Sequence, residues 1–218
     1  MYTGNIMGPF EEEIAKYLPK YLSEESYTDL IAYLKVYPGN IQNNPHYCLP
    51  FDDHSILQGD GIDDMVIPLK HEESYEACTL PCLLISNSCD MVIDHKRNIL
   101  KSIVYTPIIR ISDLSASLLR RGKNEESIQA IIDDIRNNRI SNIFYLPGIE
   151  GMEASFVYLD QLYNTNINSV DRDHLKTSRI FSLNQNAFYV FLFKLSVHFS
   201  RMQENIDRGQ NSEPIYSV

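Results

Sequence analysis

The sequence predicts an α+β fold, in which a small twisted β-barrel is preceded by helices and closed by a long helix. Short apolar runs separated by turn residues lie between about 55 and 183, and an almost wholly apolar helical run begins near residue 184. The chain has 218 residues, 44% of them hydrophobic, which is enough for one domain with a substantial core.

A helical extension is predicted for residues 1–38. Apolar residues recur at helical spacing between 14 and 22, and a second helix is expected to begin after Ser23 and to end before Pro38. Residues 40–53 are polar and rich in turn formers, so we expect them to link this extension to the rest of the chain.

The barrel domain is predicted to span residues 55–207. Its expected strands are 65–69, 82–88, 103–111, 142–146, 156–159 and 179–183. Two helices, 113–121 and 125–137, are inserted between the third and fourth of these strands, and the last helix is expected from about 184 to 206. Residues 208–218 are expected to form a flexible tail.

Several short motifs support a resemblance to known families. Gln58-Gly59-Asp60, the run from Leu80-Pro81 to Ser86 and the run Val104-Tyr105-Thr106-Pro107-Ile108 are similar in order and spacing to the barrel of the MazF/PemK toxin family. Ile85-Ser86-Asn87-Ser88-Cys89-Asp90, then Phe144-Tyr145-Leu146-Pro147 and the Arg179/Ser182 segment, resemble a group of bacterial proteins from plasmids, prophages and defence-type gene clusters. The resemblance covers roughly residues 55–205 and implies an SH3-like barrel.

The chain departs from the toxin family where that family cleaves RNA. The resemblance implies an arginine before the proline of the second strand, but Leu80 stands there. The resemblance also implies a Ser or Thr hydroxyl after the third strand, which Thr106 or Ser112 could supply. Arg110 could supply the missing cation only if the fold brings it close to that hydroxyl. Without a cation the phosphate transition state loses its main electrostatic support, so ribonuclease activity is disfavoured.

Cys89 and Asp90 follow a buried strand directly, where folds often present chemistry. A reactive thiol needs a lowered pKa from a nearby cation, histidine or helix N-terminus. The alternative is that Cys89 packs in the barrel while Asp90 forms an Asx-turn with its own backbone. The sequence leaves both interpretations open, the second being favoured.

The charge is unevenly distributed. The net charge is -10, and residues 1–95 hold 16 acidic and 4 basic side chains. The basic residues cluster in 96–123, where Lys96, Arg97, Arg120 and Arg121 form a candidate phosphate-binding patch. A net acidic chain repels a polyanion at long range, so binding of nucleic acid is possible but disfavoured.

The favoured function is therefore non-catalytic: an interaction or adaptor component of a bacterial defence or mobile-element system. Tyr17, Tyr21 and Tyr27 are the candidate binding residues of the N-terminal helices, for a protein partner from the same system or for self-association. The alternatives are a MazF-like endoribonuclease and a cysteine-dependent enzyme built on Cys89. We expect no cofactor and no metal, because no Gly-rich phosphate loop, G-x-S-x-G or H-E-x-x-H motif occurs. A leader pattern and a membrane-length apolar run are also lacking, so we expect a cytoplasmic protein without a membrane partner.

Overall fold

The computed structural model describes residues 23–36, 47–48, 55–71, 74–91 and 102–200. The helices are α1 (Glu24–Val36), α2 (Ile111–Arg120), α3 (Glu125–Arg136), α4 (Arg172–Thr177) and α5 (Gln185–Ser200). The strands are β1 (Tyr47–Cys48), β2 (Asp60–His71), β3 (Ser74–Leu84), β4 (Ser102–Arg110), β5 (Ile143–Leu146), β6 (Ser155–Tyr158), β7 (Tyr163–Asn166) and β8 (Arg179–Leu183).

The eight described strands form one antiparallel sheet in the order β1-β8-β2-β3-β4-β6-β5, with β7 also paired to β4. The α+β class is therefore confirmed. The closed SH3-like barrel is not confirmed, because within the described residues β1 and β5 end the path and do not pair with each other. The sheet is open.

Both faces of the sheet contribute apolar side chains to buried cores. Along β3, Leu83 packs in the core that α5 covers, whereas Cys82 and Leu84 point to a second core on the other face. In β5, Phe144 packs on Phe191 of α5, and Tyr145 faces the third core, which lies under α2 and α3. The inserted helices thus cover the β5–β6 end of the sheet, on the face opposite α5.

The inserted helices form where the sequence predicts them, and in α3 a cap and the apolar spacing agree. The Asn124 side chain accepts a hydrogen bond of 2.9 Å from the Ser127 backbone N–H and caps α3. Ile128, Ile132 and Ile135 recur on one face of α3 and are buried.

The described part of the N-terminal extension contributes to the core. Leu30 and Ile31 of α1 are buried, and Tyr33 belongs to the core that α5 covers. Tyr27 is half-buried. Tyr17 and Tyr21, two of the tyrosines expected to bind a partner, lie outside the described residues, as does the tail at 208–218.

Four of the six predicted strands are confirmed to within two residues. The strand expected at 65–69 is longer, Asp60–His71, and the strand expected at 82–88 begins earlier, at Ser74, and ends earlier, at Leu84. Residues 85–88 were expected to continue β3, and the chain instead turns there, with Asp90 N–H donating to the Asn87 carbonyl at 2.9 Å. Within the described ranges, no helix is long and apolar enough to cross a bilayer.

A buried lysine fixes α5 to the loop that follows α3. The Lys194 side chain, in a residue only 5% exposed, donates hydrogen bonds of 2.8 Å to the carbonyls of Asn138 and Ile140. These carbonyls lie just beyond the C-terminal end of α3, where a cation is favourable. Burial lowers the pKa of Lys194 from 10.5 to about 8.

This pKa predicts a pH-dependent stability. Between pH 8 and 10.5 the unfolded chain holds the Lys194 proton more tightly than the folded protein does, so the free energy of unfolding rises with pH in that window. We expect Lys194→Met to remove this dependence. Urea unfolding should show wild type gaining about 1 kcal/mol over the variant between pH 7 and pH 9.

The matched control is Lys123→Met, which removes an exposed lysine. It reports the effect of replacing a lysine at the surface. A Lys194→Met stability difference from wild type that changes with pH no more than the Lys123→Met difference does would contradict the buried, charge-sensitive contact.

Candidate functional site

A buried ion pair joins the start of β2 to β8. Asp60 is fully buried, and its Oδ2 lies 3.2 Å from Nε of Arg179, whose side chain is 7% exposed. The Ser182 hydroxyl donates to Asp60 Oδ1 at 2.6 Å, and the Leu57 N–H donates to Oδ2 at 2.8 Å. Arg179 Nη2 also donates to the Ser55 carbonyl. These contacts satisfy the carboxylate from three sides.

Burial raises the pKa of Asp60, and its three partners oppose that shift: the Ser182 hydroxyl, the Leu57 N–H and the Arg179 guanidinium. The opposing contacts explain how a carboxylate can lie in the sheet without solvent. Next to it, Gly61 allows the close approach of β8, because a Cβ at this position would lie 2.4 Å from the Phe181 ring.

A β-bulge follows directly after this ion pair. The pairing of β2 with β3 shifts register between Ile62 and Met65, and Asp64 has a positive φ of 58°. The Asp63 N–H donates to the Ser178 carbonyl at 2.8 Å, which connects the bulge to the segment before β8. The bulge redirects the strand, and the contact with Ser178 holds that direction.

Beyond the bulge, β2 and β3 form a two-stranded extension that we call the ribbon, comprising residues 65–71 and 74–80. In the described structure, β8 pairs with β2 only at residues 60–62, and β4 pairs with β3 only at residues 82–84. The ribbon therefore has two long edges that no described strand covers.

The two faces of the ribbon differ in burial. On the inner face, Met65 and Ile67 are buried in the second core. The outer face consists of the side chains that point away from that core: Val66, Pro68, Lys70, Tyr75, Ala77 and Thr79. All six are exposed, Val66 by 53% and Tyr75 by 72%. Four of them are apolar or aromatic, which makes the outer face an apolar surface in contact with solvent.

A polar cleft of about 420 Å³ lies beside the bulge. Asp63, Asp64 and His174 line it, together with Ser178 and the buried Arg179. Since carboxylates and a guanidinium share its walls, its charge favours neither an anion nor a cation. The cleft does not define a ligand.

Cys89 and Asp90 lie in the exposed turn after β3. The side chain that fixes this turn is Asn87, whose Oδ1 accepts the Cys89 N–H at 2.9 Å, so the Asx-turn expected for Asp90 is formed by Asn87 instead. Cys89 is exposed rather than packed in a core, which corrects the buried interpretation.

Two other cysteines are unfavourable nucleophiles. Burial, and then the charge of Asp60, raise the pKa of the Cys48 thiol. Burial, and then the neighbouring Cys78, raise the pKa of Cys82 to about 12. A raised pKa reduces the thiolate fraction that reacts.

The residues of the ribonuclease hypothesis are not brought together as a site. Thr106 is fully buried, and its hydroxyl donates to the Tyr158 carbonyl at 2.8 Å. Arg110 is exposed and makes a bidentate contact with Asp113, at 2.7 and 3.1 Å. The Ser112 hydroxyl donates to Glu153 at 2.9 Å. The hydroxyl expected in β4 is thus inside the protein, while the cation is neutralised at the surface.

The candidate basic patch is described only in part. Arg120 and Arg121 are exposed at the C-terminal end of α2, about 15 Å along the helix from Arg110, and the patch stays a prediction. Lys96 and Arg97 lie outside the described residues.

A comparison with protein-family models and with curated protein sequences finds no match to this chain. The resemblance to MazF/PemK proteins and to defence-cluster proteins therefore stays a prediction from short motifs.

Asp60, Arg179 and Ser182 lie within the sequence motifs without a predicted role, and residues 74–81 of β3 were not predicted as strand. The signal for the ribbon was present, since polar residues 70–74 separate two runs rich in β-branched and aromatic side chains. The irregular pattern of Ser74–Leu84, which lacks strict alternation, concealed the strand.

Asp60→Asn should destabilise the fold strongly. It removes one charge of a buried ion pair and leaves Arg179 uncompensated, which we expect to lower the free energy of unfolding by about 3 to 5 kcal/mol. Ser182→Ala should lower it by about 1 kcal/mol, because it deletes one hydrogen bond. Chemical denaturation measures both values.

Asp113→Asn is the matched control for that experiment, since it breaks an exposed carboxylate–arginine pair and should lower stability far less than Asp60→Asn does. Equal effects of Asp60→Asn and Asp113→Asn would show that the buried pair is not an anchor.

Purified protein should leave long single-stranded RNA intact, because Arg110 is held by Asp113 and the Thr106 hydroxyl is buried. Gel electrophoresis after incubation measures this. Cleavage that disappears in Arg110→Ala and persists in Arg120→Ala would instead establish the ribonuclease alternative.

Proposed function

We propose that the protein is a non-catalytic interaction component that binds a protein partner through the outer face of the ribbon. The observation that supports this proposal best is the exposure of Val66 and Tyr75 on a two-stranded extension that projects beyond the rest of the sheet. Exposed apolar surfaces of this kind often mark sites of protein association.

The energetics of the ribbon support the same role. A two-stranded hairpin is only marginally stable in water by itself. The inner face of the ribbon is stabilised by Met65 and Ile67 in the second core, whereas Val66 and Tyr75 on the outer face remain exposed. A partner that covers the outer face would bury these two side chains and would stabilise the ribbon.

The ribbon also has a defined direction, which a docking surface needs. The bulge at Asp63 and Asp64 sets the angle of the strands, and the Asp60–Arg179 ion pair fixes the base. Binding residues held on a rigid base lose less conformational entropy when the partner binds.

The proposed setting is a cytoplasmic bacterial defence or mobile-element system. The support for this setting, and for a relationship to SH3-like barrel proteins, is the set of motifs that includes Ile85 to Asp90. In that setting the partner would be a protein of the same system.

The test compares two surfaces of similar exposure. The tagged protein is purified from cells that express its neighbouring genes, as wild type, as Val66→Ser/Tyr75→Ser, and as Leu119→Ser. Leu119 is 51% exposed on α2 and matches Val66 in exposure. We expect the ribbon variant to lose the co-purifying partner and Leu119→Ser to retain it.

All three proteins should melt at similar temperatures, because substitutions at exposed positions rarely change stability by more than about 0.5 kcal/mol. A partner that binds all three proteins equally, or wild type with no partner at all, would contradict the proposal.

A further inference from the structure

The two edges of the ribbon are chemically different. In an antiparallel pair, residues alternate between hydrogen-bonded and non-hydrogen-bonded pairs. Pro68 has no N–H, so its pair with Ala77 cannot exchange two hydrogen bonds and is of the non-hydrogen-bonded kind. The backbone polar groups of Ala77 therefore point away from β2, and by alternation so do those of Tyr75 and Thr79.

The outer edge of β2 is protected against pairing. Its outward positions are Val66, Pro68 and Lys70. The Val66 carbonyl already accepts the Tyr105 hydroxyl at 2.6 Å, Pro68 offers no donor, and Lys70 adds a charge. Proline and lysine are the usual means by which edge strands avoid association.

The outer edge of β3 has no such protection. Between Tyr75 and Leu80 it contains no proline, and Glu76 is the only charged side chain of the strand. Tyr75, Ala77 and Thr79 each present an N–H and a C=O on the edge that no described strand covers. An edge of this kind is a template for another strand.

We infer that a second copy of this chain pairs with the β3 edge, antiparallel and about a two-fold axis at Ala77. This inference rests on the ribbon of the proposed function. The two-fold places Ala77 opposite itself and Tyr75 opposite Thr79 of the second copy. Each residue whose backbone N–H and C=O point outward then lies opposite such a residue of the second copy. The backbone donors and acceptors of both edges are therefore satisfied together.

The side chains are complementary under the same two-fold. Tyr75 and Thr79 form an aromatic–β-branched pair on the outer face, and the two-fold repeats that pair. Glu76 lies opposite Cys78 of the second copy, so no like charges stand directly opposite each other. A shift by one residue would set outward backbone groups against inward ones, which makes this register specific.

Pairing would join two ribbons into one four-stranded sheet. Its outer face would combine Val66, Pro68 and Tyr75 of both copies, and a partner would meet twice the apolar surface of a single ribbon. The contact spans seven residues, about 24 Å of strand, so it is small for a protein interface and should exchange with monomer.

Sedimentation velocity of the full chain over a wide concentration range tests the inference. Wild type should shift from monomer to dimer as concentration rises. Ala77→Pro removes the N–H at the two-fold without removing a β2–β3 hydrogen bond, and should weaken the dimer at least about tenfold. Ala77→Ser keeps the N–H and should dimerise like wild type.

A second pair of variants keeps the test decisive if Ala77→Pro disturbs the ribbon. Tyr75→Glu/Thr79→Lys places opposite charges across the two-fold and should dimerise, more strongly at low salt. Tyr75→Glu/Thr79→Glu places like charges there and should stay monomeric, while in both variants Glu at position 75 faces Lys70 of the same ribbon. Both positions are exposed, so neither variant should change the thermal melt.

The inference is wrong if wild type stays monomeric at every concentration, or if the variants with like and with opposite charges at positions 75 and 79 dimerise equally. If wild type is monomeric and Val66→Ser/Tyr75→Ser loses the partner, the proposed function is supported and the dimer inference is wrong. If wild type dimerises while Val66→Ser/Tyr75→Ser still binds the partner, the dimer inference stands and the proposed function is wrong.

Discussion

The Asp60–Arg179 ion pair is the contact on which the arrangement of β2, β8 and the ribbon depends. It is buried, and together with the Ser182 hydroxyl it joins strands that lie 122 residues apart in the chain. A carboxylate without solvent is unfavourable unless each oxygen is paired, and here hydrogen-bond donors and the guanidinium supply the partners. The bulge and the ribbon begin within five residues of Asp60, so their direction follows from this contact.

The ribbon illustrates how one pair of strands can serve both stability and recognition. Because side chains alternate along a strand, Met65 and Ile67 extend the core while Val66 and Pro68 face solvent. Pro68 also protects the outer edge of β2, since it offers no N–H to a further strand, and the bonded Val66 carbonyl and the charge of Lys70 add to that protection.

The open sheet has a physical reason in the chain order. The segment between β4 and β5 forms α2 and α3, and these helices cover the sheet opposite α5 at its β5–β6 end. Helices rather than barrel closure bury the apolar side chains of this end of the sheet. Phe144 packs against Phe191 of α5 on one face, and Tyr145 packs in the third core under α2 and α3 on the other. Lys194 connects the two layers by binding the carbonyls after α3.

The sequence by itself determined the local elements. Periodic apolar residues and capping groups predicted α1, α2, α3 and α5 and the positions of β4, β5, β6 and β8, because those signals act over a few neighbouring residues. Short or polar elements such as β1, β7 and α4 were not predicted, since their formation depends on a partner strand or layer rather than on their own pattern.

Only the tertiary structure decided the site. Asp60 and Arg179 are ordinary polar residues in the sequence, and their pairing depends on the register of β2 against β8. The exposure of Val66 and the burial of Thr106 likewise depend on which layers cover each strand. Long-range pairing and burial set these properties, and a single sequence contains no local signal for either.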